Sequence, residues 1–370
     1  MERTWYHIEN INEIDSPALV LYPERIAENI RLLKSMINDP ARLRPHIKTN
    51  KCMETASMLI NEGITKFKCA TIAEAEMLAM CNAKDVLLAY QPVGPRIERL
   101  MEVINTYPKT KFSCLTDNIS TAQQIEDACA RENISLAVFI DLDVGMHRTG
   151  IEPNDDALDL YAFCAAQKHI YAAGLHAYDG HLRTADFAER TVECDKAFAS
   201  VEQLRDKIIE KNLPTPLIIA GGSPTFPIHA RRKDVECSPG TFIYWDRQYS
   251  VYCAEQPFLP AAVLITRVIS LPGQTRLCLD LGHKAVASEN EIGNRAWFLD
   301  ASNLKPVSQS EEHLMVEAGE HHGYQVGDVL YALPFHVCPT VALHERSYVA
   351  HHNKVIGEWK HIARDRRILH

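Results

Sequence analysis

No stretch of this sequence approaches the ~20 consecutive apolar residues that a membrane helix needs. Its opening residues, 1–7, have no apolar core of the kind a secretory signal carries. Positive charge is not in surplus either: 39 Lys and Arg stand against 48 Asp and Glu, a formal net charge of −9. A general nucleic-acid binder needs a basic footprint, so neither nucleic acid nor membrane is expected as a partner. No two cysteines are spaced C-x-x-C, which excludes a zinc ribbon. The eleven cysteines are odd in number and scattered, and Cys69, Cys114 and Cys278 lie inside apolar runs. That distribution argues for reduced, buried thiols in a cytoplasmic protein. A G-x-G-x-x-G turn after the first strand is missing as well, which removes the Rossmann signature.

What is present reads as a two-domain protein, since 370 residues exceed the ~150 typical of one domain. The first two-thirds alternates short β-branched runs with longer amphipathic segments. Strands are expected over 42–48, 66–71, 85–90, 111–116, 136–143, 171–178, 217–222 and 235–244. Helices are expected over 72–81, 97–107, 118–133, 154–168 and 185–211, with Asp117 and Asn154 as N-cap signals. Eight such units predict an α/β fold, a closed (β/α)₈ TIM-type barrel. The apolar run 17–22 and the helix 23–36 are expected to lead into it. After about residue 250, Pro and Gly recur and long helical patterns vanish. The expected division is therefore a barrel over 15–248 and a mainly β domain over 249–370, to which 1–14 could belong.

In such a barrel the working residues sit at the C-terminal ends of the strands. Strand one ends Arg44-Pro45-His46-Ile47-Lys48-Thr49, and strand seven ends in Gly221-Gly222-Ser223-Pro224-Thr225. Gly221, Gly222 and Ser223 offer unhindered backbone N–H groups and a hydroxyl where this fold often holds a phosphate. Alone, that tripeptide is equally a plain glycine turn, and a lysine at a strand end is equally a solvated charge. Together they suggest pyridoxal 5′-phosphate (PLP), held by an imine to the amine and by its anchored phosphate.

These segments resemble the D-threonine aldolase/D-serine dehydratase family, fold-type III PLP enzymes with an alanine-racemase-like N-terminal barrel. Arg44-Pro45-His46-Ile47-Lys48-Thr49 is similar to the family's Arg-Pro-His-x-Lys-Thr segment, which implies Lys48 as the Schiff-base lysine. Gly221-Gly222-Ser223 is similar to its phosphate loop, and Ser238–Tyr244 to the segment whose tyrosine, here Tyr244, faces the phosphate. Pro334-Phe335-His336-Val337-Cys338 resembles its Pro-x-His-x-Cys/Asp metal motif. On an extended strand His336 and Cys338 would project to one side. Imidazole with thiolate favours Zn²⁺, with Mn²⁺ as the other possibility. The resemblance further implies Arg148 near the PLP phenolic oxygen, Tyr178 as a neutral partner of the pyridine nitrogen, and His181 as a base. Read without it, Arg148 is a rim salt-bridge residue, Tyr178 a packed barrel tyrosine and His181 a loop histidine. Two departures from the aldolase pattern are Asn50, where many members carry histidine, and the segment Asp179–Arg183. His321-His322 and His351-His352 read as surface pairs, because neighbours on a strand point to opposite faces.

The family chemistry acts on D-configured β-hydroxy amino acids. A metal on the β-hydroxyl can assist Cα–Cβ cleavage to glycine and an aldehyde, the expected D-threonine aldolase reaction. It can instead assist loss of hydroxide, as in a D-serine dehydratase giving pyruvate and ammonia. An amino-acid racemase or a non-catalytic PLP carrier shares the barrel but needs no metal motif. A homodimer is expected, with the β domain helping to close the active site.

Overall fold

The computed structural model describes residues 4–369; residues 1–3, part of the segment read for a signal, and residue 370 lie outside the described residues. Strand β1 (Ala18–Leu21) is followed by helix α1 (Pro23–Ser35) and α2 (Met53–Asn61). Strands β2 (Lys66–Cys69), β3 (Asp85–Leu88), β4 (Lys111–Thr116), β5 (Leu136–Leu142), β6 (Ile170–Ala177), β7 (Leu217–Ala220) and β8 (Val235–Cys237) then pair in sequence order, all parallel. Between them run α3 (Ile72–Met80), α4 (Pro95–Thr106), α5 (Ile119–Glu132), α6 (Asp155–Ala165), α7 (Phe187–Glu210) and the short α8 (Phe226–His229). Leu87, Leu115, Phe139 and Ile219 form an apolar layer inside the curled sheet, distinct from the larger core between strands and helices.

The expected first strand is not a regular strand. Pro45 has no N–H for a ladder, and 40–42 and 47–49 wind into 3₁₀ turns. Between them Leu43 bridges Cys237 and His46 bridges Lys68, so this segment joins the two edges of the seven-stranded sheet. Beneath it Arg44 is buried and donates to Glu236 Oε2 (2.7 Å) and Asp85 Oδ1 (2.6 Å), plugging the N-terminal end of the barrel. The expected strand 235–244 is cut to three residues, because Pro239 ends the ladder and 241–243 turn into a 3₁₀ helix.

After α9 (Arg247–Tyr252), the chain forms β9 (Ala262–Ser270), β10 (Arg276–Leu279), β11 (Ala296–Phe298), β12 (Lys305–Gln309), β13 (Leu314–Glu317), β14 (Val329–Pro334), helix α10 (Val337–Leu343), β15 (Arg346–His351) and β16 (Lys354–Lys360). These strands make one mixed sheet. Its centre includes β1, antiparallel to β9 (Ala18↔Ile265) and parallel to β15 (Val20↔Tyr348). The run 17–22 thus belongs to the β domain rather than to the barrel entrance. The four residues of β1 are all buried, as a strand covered on both faces must be, but an apolar run does not say which sheet it will join. Asn29 of α1 then ties the two halves: its side chain donates to Leu259 O (2.8 Å) and accepts from Leu259 N (2.8 Å).

Candidate active site

The C-terminal ends of the barrel strands carry polar side chains where their neighbours in sequence are apolar. Lys68 (β2), Asp141 (β5) and His176 (β6) are all buried. His176 Nδ1 lies 2.7 Å from Asp141 Oδ1, and its Nε2 lies 3.4 Å from Lys68 Nζ. Asp141 Oδ2 accepts from Gln91 (2.8 Å) and from Thr149 (3.0 Å). Burial would raise the Asp141 carboxyl, but His176 above all, with Thr149 and Gln91, holds its pKa below the ordinary value. Burial, with Lys48 alongside, pushes the Lys68 ammonium pKa down to about 7.

Three cations surround the ring of Tyr178. Lys48 Nζ lies 5.9 Å, Lys68 Nζ 5.6 Å and Arg148 Cζ 5.1 Å from its centroid. Lys48 sits in the turn 47–49, where its backbone N–H donates to His46 Nδ1 (3.2 Å). Burial and the neighbouring lysines keep His46 neutral, with a pKa well below the ordinary value, so it can accept that bond. Arg148 lies on a loop tied at both sides: Thr149 donates to Asp141, and Gly150 N donates to Asp117 Oδ2 (3.1 Å). A Cβ on Gly180 would sit 2.1 Å from the Tyr178 hydroxyl, so glycine there lets the ring lie close against the chain.

The opposite wall is the glycine loop. Gly221 has φ +79°, and a Cβ there would meet the His229 ring at 2.7 Å. Ser223 Oγ accepts from the N–H groups of Gly240 (3.2 Å) and Thr241 (3.0 Å), so two backbone donors and a hydroxyl converge where β7 and β8 end. Behind the loop, Asp179 accepts from Thr225 (2.8 Å) and from His229 Nε2 (2.8 Å), with Cys194 3.4 Å from the same nitrogen. Asp179, Cys194 and His229 are close enough to hold a metal ion. However, Arg232 Nη1 donates to His229 Nδ1 (3.1 Å), which leaves the proton on Nε2 and that nitrogen without a lone pair for a metal. The cluster is a brace for the loop.

His336 and Cys338 do not lie on an extended strand: His336 is the N-cap of α10 and Cys338 lies in its first turn. They still come together in a side-chain hydrogen bond, through which each shifts the other's ionisation. Burial pushes the Cys338 thiol up, but His336, Lys48 and Thr49 outweigh it and hold its pKa below the ordinary value. Burial lowers the His336 pKa, and the bond to Cys338 outweighs that, raising it to about 9. Glu289 takes Nδ1 of His336, which leaves Nε2 for a metal, the usual carboxylate–imidazole arrangement. Thr49 Oγ1 lies 3.0 Å from Cys338 Sγ, so the pair abuts the Lys48 segment. Asp246 fixes this end of α10 by accepting from Val337 N (3.0 Å) while also capping α9.

Two family models match the chain: the alanine racemase N-terminal domain over residues 22–248 and a putative serine dehydratase domain over 261–350. The chain belongs to the alanine racemase N-terminal domain family. It is 28% identical to the D-threonine aldolase of Arthrobacter sp. over 362 residues, 95% of this chain and 93% of that protein. It is 25% identical to the D-threo-3-hydroxyaspartate dehydratase of Delftia sp. (strain HT23) over 294 residues, 75% of this chain and 73% of that protein. The crystal structure of D-threonine aldolase from Filomicrobium marinum matches with a TM-score of 0.86 at 23% identity, covering 95% of this chain and 96% of that one. With such relatives along nearly its whole length, this member of the alanine racemase N-terminal domain family is an enzyme, and of the lyase class.

Other expected residues are placed differently. Tyr244 is fully buried, and its hydroxyl lies against Thr55 Oγ1 (3.0 Å) and Cys52 Sγ (3.7 Å) rather than bonding the glycine loop. His181 packs its ring against Gly145, and its Nδ1 is buried with no hydrogen-bond partner among the described residues. Asp117 is not a helix cap; Asn118 caps α5, and Asp117 holds Gln91 and the Arg148 loop instead. His351 and His352 do not diverge, since His352 adopts φ +47° and both rings turn to Glu24 on the surface. Lys68, His176, Gln91 and Asp141 were legible only as charged or polar residues interrupting apolar strands.

Proposed function

We propose that this protein is a PLP- and divalent-metal-dependent lyase of D-β-hydroxy amino acids, cleaving Cα–Cβ in the manner of a D-threonine aldolase. The observation that carries the reading is the Thr49–Cys338 contact, which sets the metal-type pair beside the lysine segment. Three cations about Tyr178 and the N–H groups of Gly240 and Thr241 fit an anionic phosphopyridine, and the low-pKa thiol beside His336 fits Zn²⁺. When bound, the cofactor supplies an electron sink and the metal a Lewis acid for the substrate hydroxyl.

The chain's own groups divide the remaining work. Lys48 would offer the amine, and Gly221, Gly222 and Ser223 would anchor the phosphate, with the N–H groups of Gly240 and Thr241 donating to Ser223 Oγ behind it. Arg148 would face the phenolic oxygen, and Tyr178 would offer its hydroxyl to the ring nitrogen. His336 and Cys338 hold the metal from the β domain. His181, with its unpartnered Nδ1, holds or releases the proton of the substrate's β-hydroxyl. Among the described residues no helix is long and apolar enough to cross a membrane. All eleven cysteines are free, which supports a reducing, cytoplasmic setting.

Product analysis separates the two lyase reactions. Glycine and acetaldehyde from D-threonine is the expected result. Pyruvate and ammonia from D-serine, with no glycine from D-threonine, would make the enzyme a dehydratase and overturn the aldolase assignment.

A further inference from the structure

A cleft of about 470 Å³ opens on the outside of the barrel wall, where the chain leaves β2 and β3. It is separate from the chamber that holds Lys48. Leu87 and Ala89 belong to the interior layer of the barrel, and side chains alternate along a strand, so Leu88 and Tyr90 face outward. Their outward face meets three arginines from two distant parts of the chain: Arg96 and Arg99 of α4, and Arg366 of the C-terminal segment. Arg99 Nη2 donates to the carbonyl of Arg366 (2.9 Å), which fixes that segment over the cleft. Arg96 stands 4.8 Å from the ring centroid of Tyr90. Among the described residues, no carboxylate lies within ion-pairing distance of Arg96 or Arg366.

This gathering of like charge is at odds with a chain of net charge −9. Burial and the neighbouring Arg367 work against the Arg99 cation, whereas Glu76 and Glu102 support it. Guanidinium groups are forks that match phosphate oxygens two at a time, and two of them facing one cleft suit a dianion better than a single carboxylate. The first residue of α3, Ile72, also lines the cleft, although Glu74 in that turn offsets the positive end of the helix and the arginines carry the field. The exposed Tyr90 ring and the volume leave room for an organic body beside the anion.

We propose that this cleft is a binding site for a small phosphate-bearing anion, distinct from the cofactor's own phosphate loop. Arg96 and Arg366 grip its oxygens from opposite sides, and Arg99 holds the C-terminal segment in place. The site has a direct line to the catalytic chamber: Tyr90 and Pro92 line the cleft, whereas Gln91 between them reaches Asp117 and Asp141 inside.

The test is calorimetric titration of the full-length holoenzyme with inorganic phosphate at low ionic strength, the cofactor already filling the glycine loop. One saturable site per chain is expected. Arg96→Gln and Arg366→Gln should each weaken it at least tenfold while leaving cofactor absorbance unchanged. Absence of saturable binding at millimolar phosphate, or an affinity unchanged from the parent in both variants, would overturn the proposal. Because the readout is binding and not turnover, it stands or falls independently of the aldolase assignment.

Discussion

At the scale of single residues, the site is built by pairs in which one side chain fixes the protonation of another. His46 stays neutral and takes the N–H of Lys48, Asp141 holds His176, and His336 shifts Cys338 towards its thiolate. The last pair leads to a sharp expectation. Cys338→Ala removes a ligand and leaves Thr49 and Lys48 in place, so the purified variant should contain far less than one zinc per chain. The visible absorbance of the Lys48-bound cofactor should persist, since neither the amine nor the phosphate loop depends on the thiol. Metal analysis beside an absorption spectrum checks both. Full metal content and full turnover in this variant would show that the metal is bound elsewhere.

At the scale of elements, much of the barrel was legible because strands three to seven are largely apolar runs spaced by amphipathic helices. Strand one was not, because Pro45 and the Lys48 turn trade regular pairing for a backbone that points the amine into the mouth. The short strands at 305–309 and 354–360 were missed because they are largely exposed and polar, which removes the periodic signal. The lysine segment and glycine loop could be read from their motifs, but the polar ring of Lys68, His176 and Asp141 depends on which strand ends meet. His361 shows how one element is held by another. Its Nδ1 donates to Asn50 O (3.0 Å) and its Nε2 accepts from Ser347 Oγ (2.7 Å), tying the C-terminal segment to the residues just after Lys48.

Burial above all holds the His361 pKa down to about 4, against 6.5 when exposed. The unfolded chain therefore takes up a proton that the folded chain refuses. The contribution is intact above pH 6.5 and is lost as pH falls towards 4, on the order of 3 kcal/mol over the whole range. Urea unfolding at pH 7 and pH 4 should show His361→Gln losing less stability across that interval than the parent. An equal loss in both would place the acid sensitivity in other groups.

At the scale of the whole molecule, the proposed function draws its amine from the barrel and its metal pair from the β domain, so turnover is expected to require both halves in one arrangement. We expect the barrel mouth to be closed further by a second copy of the chain, because exclusion of water protects a developing carbanion from stray protonation. Sedimentation at sub-micromolar concentration, with turnover followed in parallel, should show a dimer whose dissociation removes activity; a fully active monomer would refute the shared closure. The central claim is narrower, that Lys48 is the amine to which the cofactor is joined. Borohydride reduction of the yellow holoenzyme, followed by digestion and mass analysis of the peptides, tests it directly. The cofactor should be fixed to the peptide containing Lys48, and its recovery on Lys51, Lys68 or Lys284 instead would contradict the account.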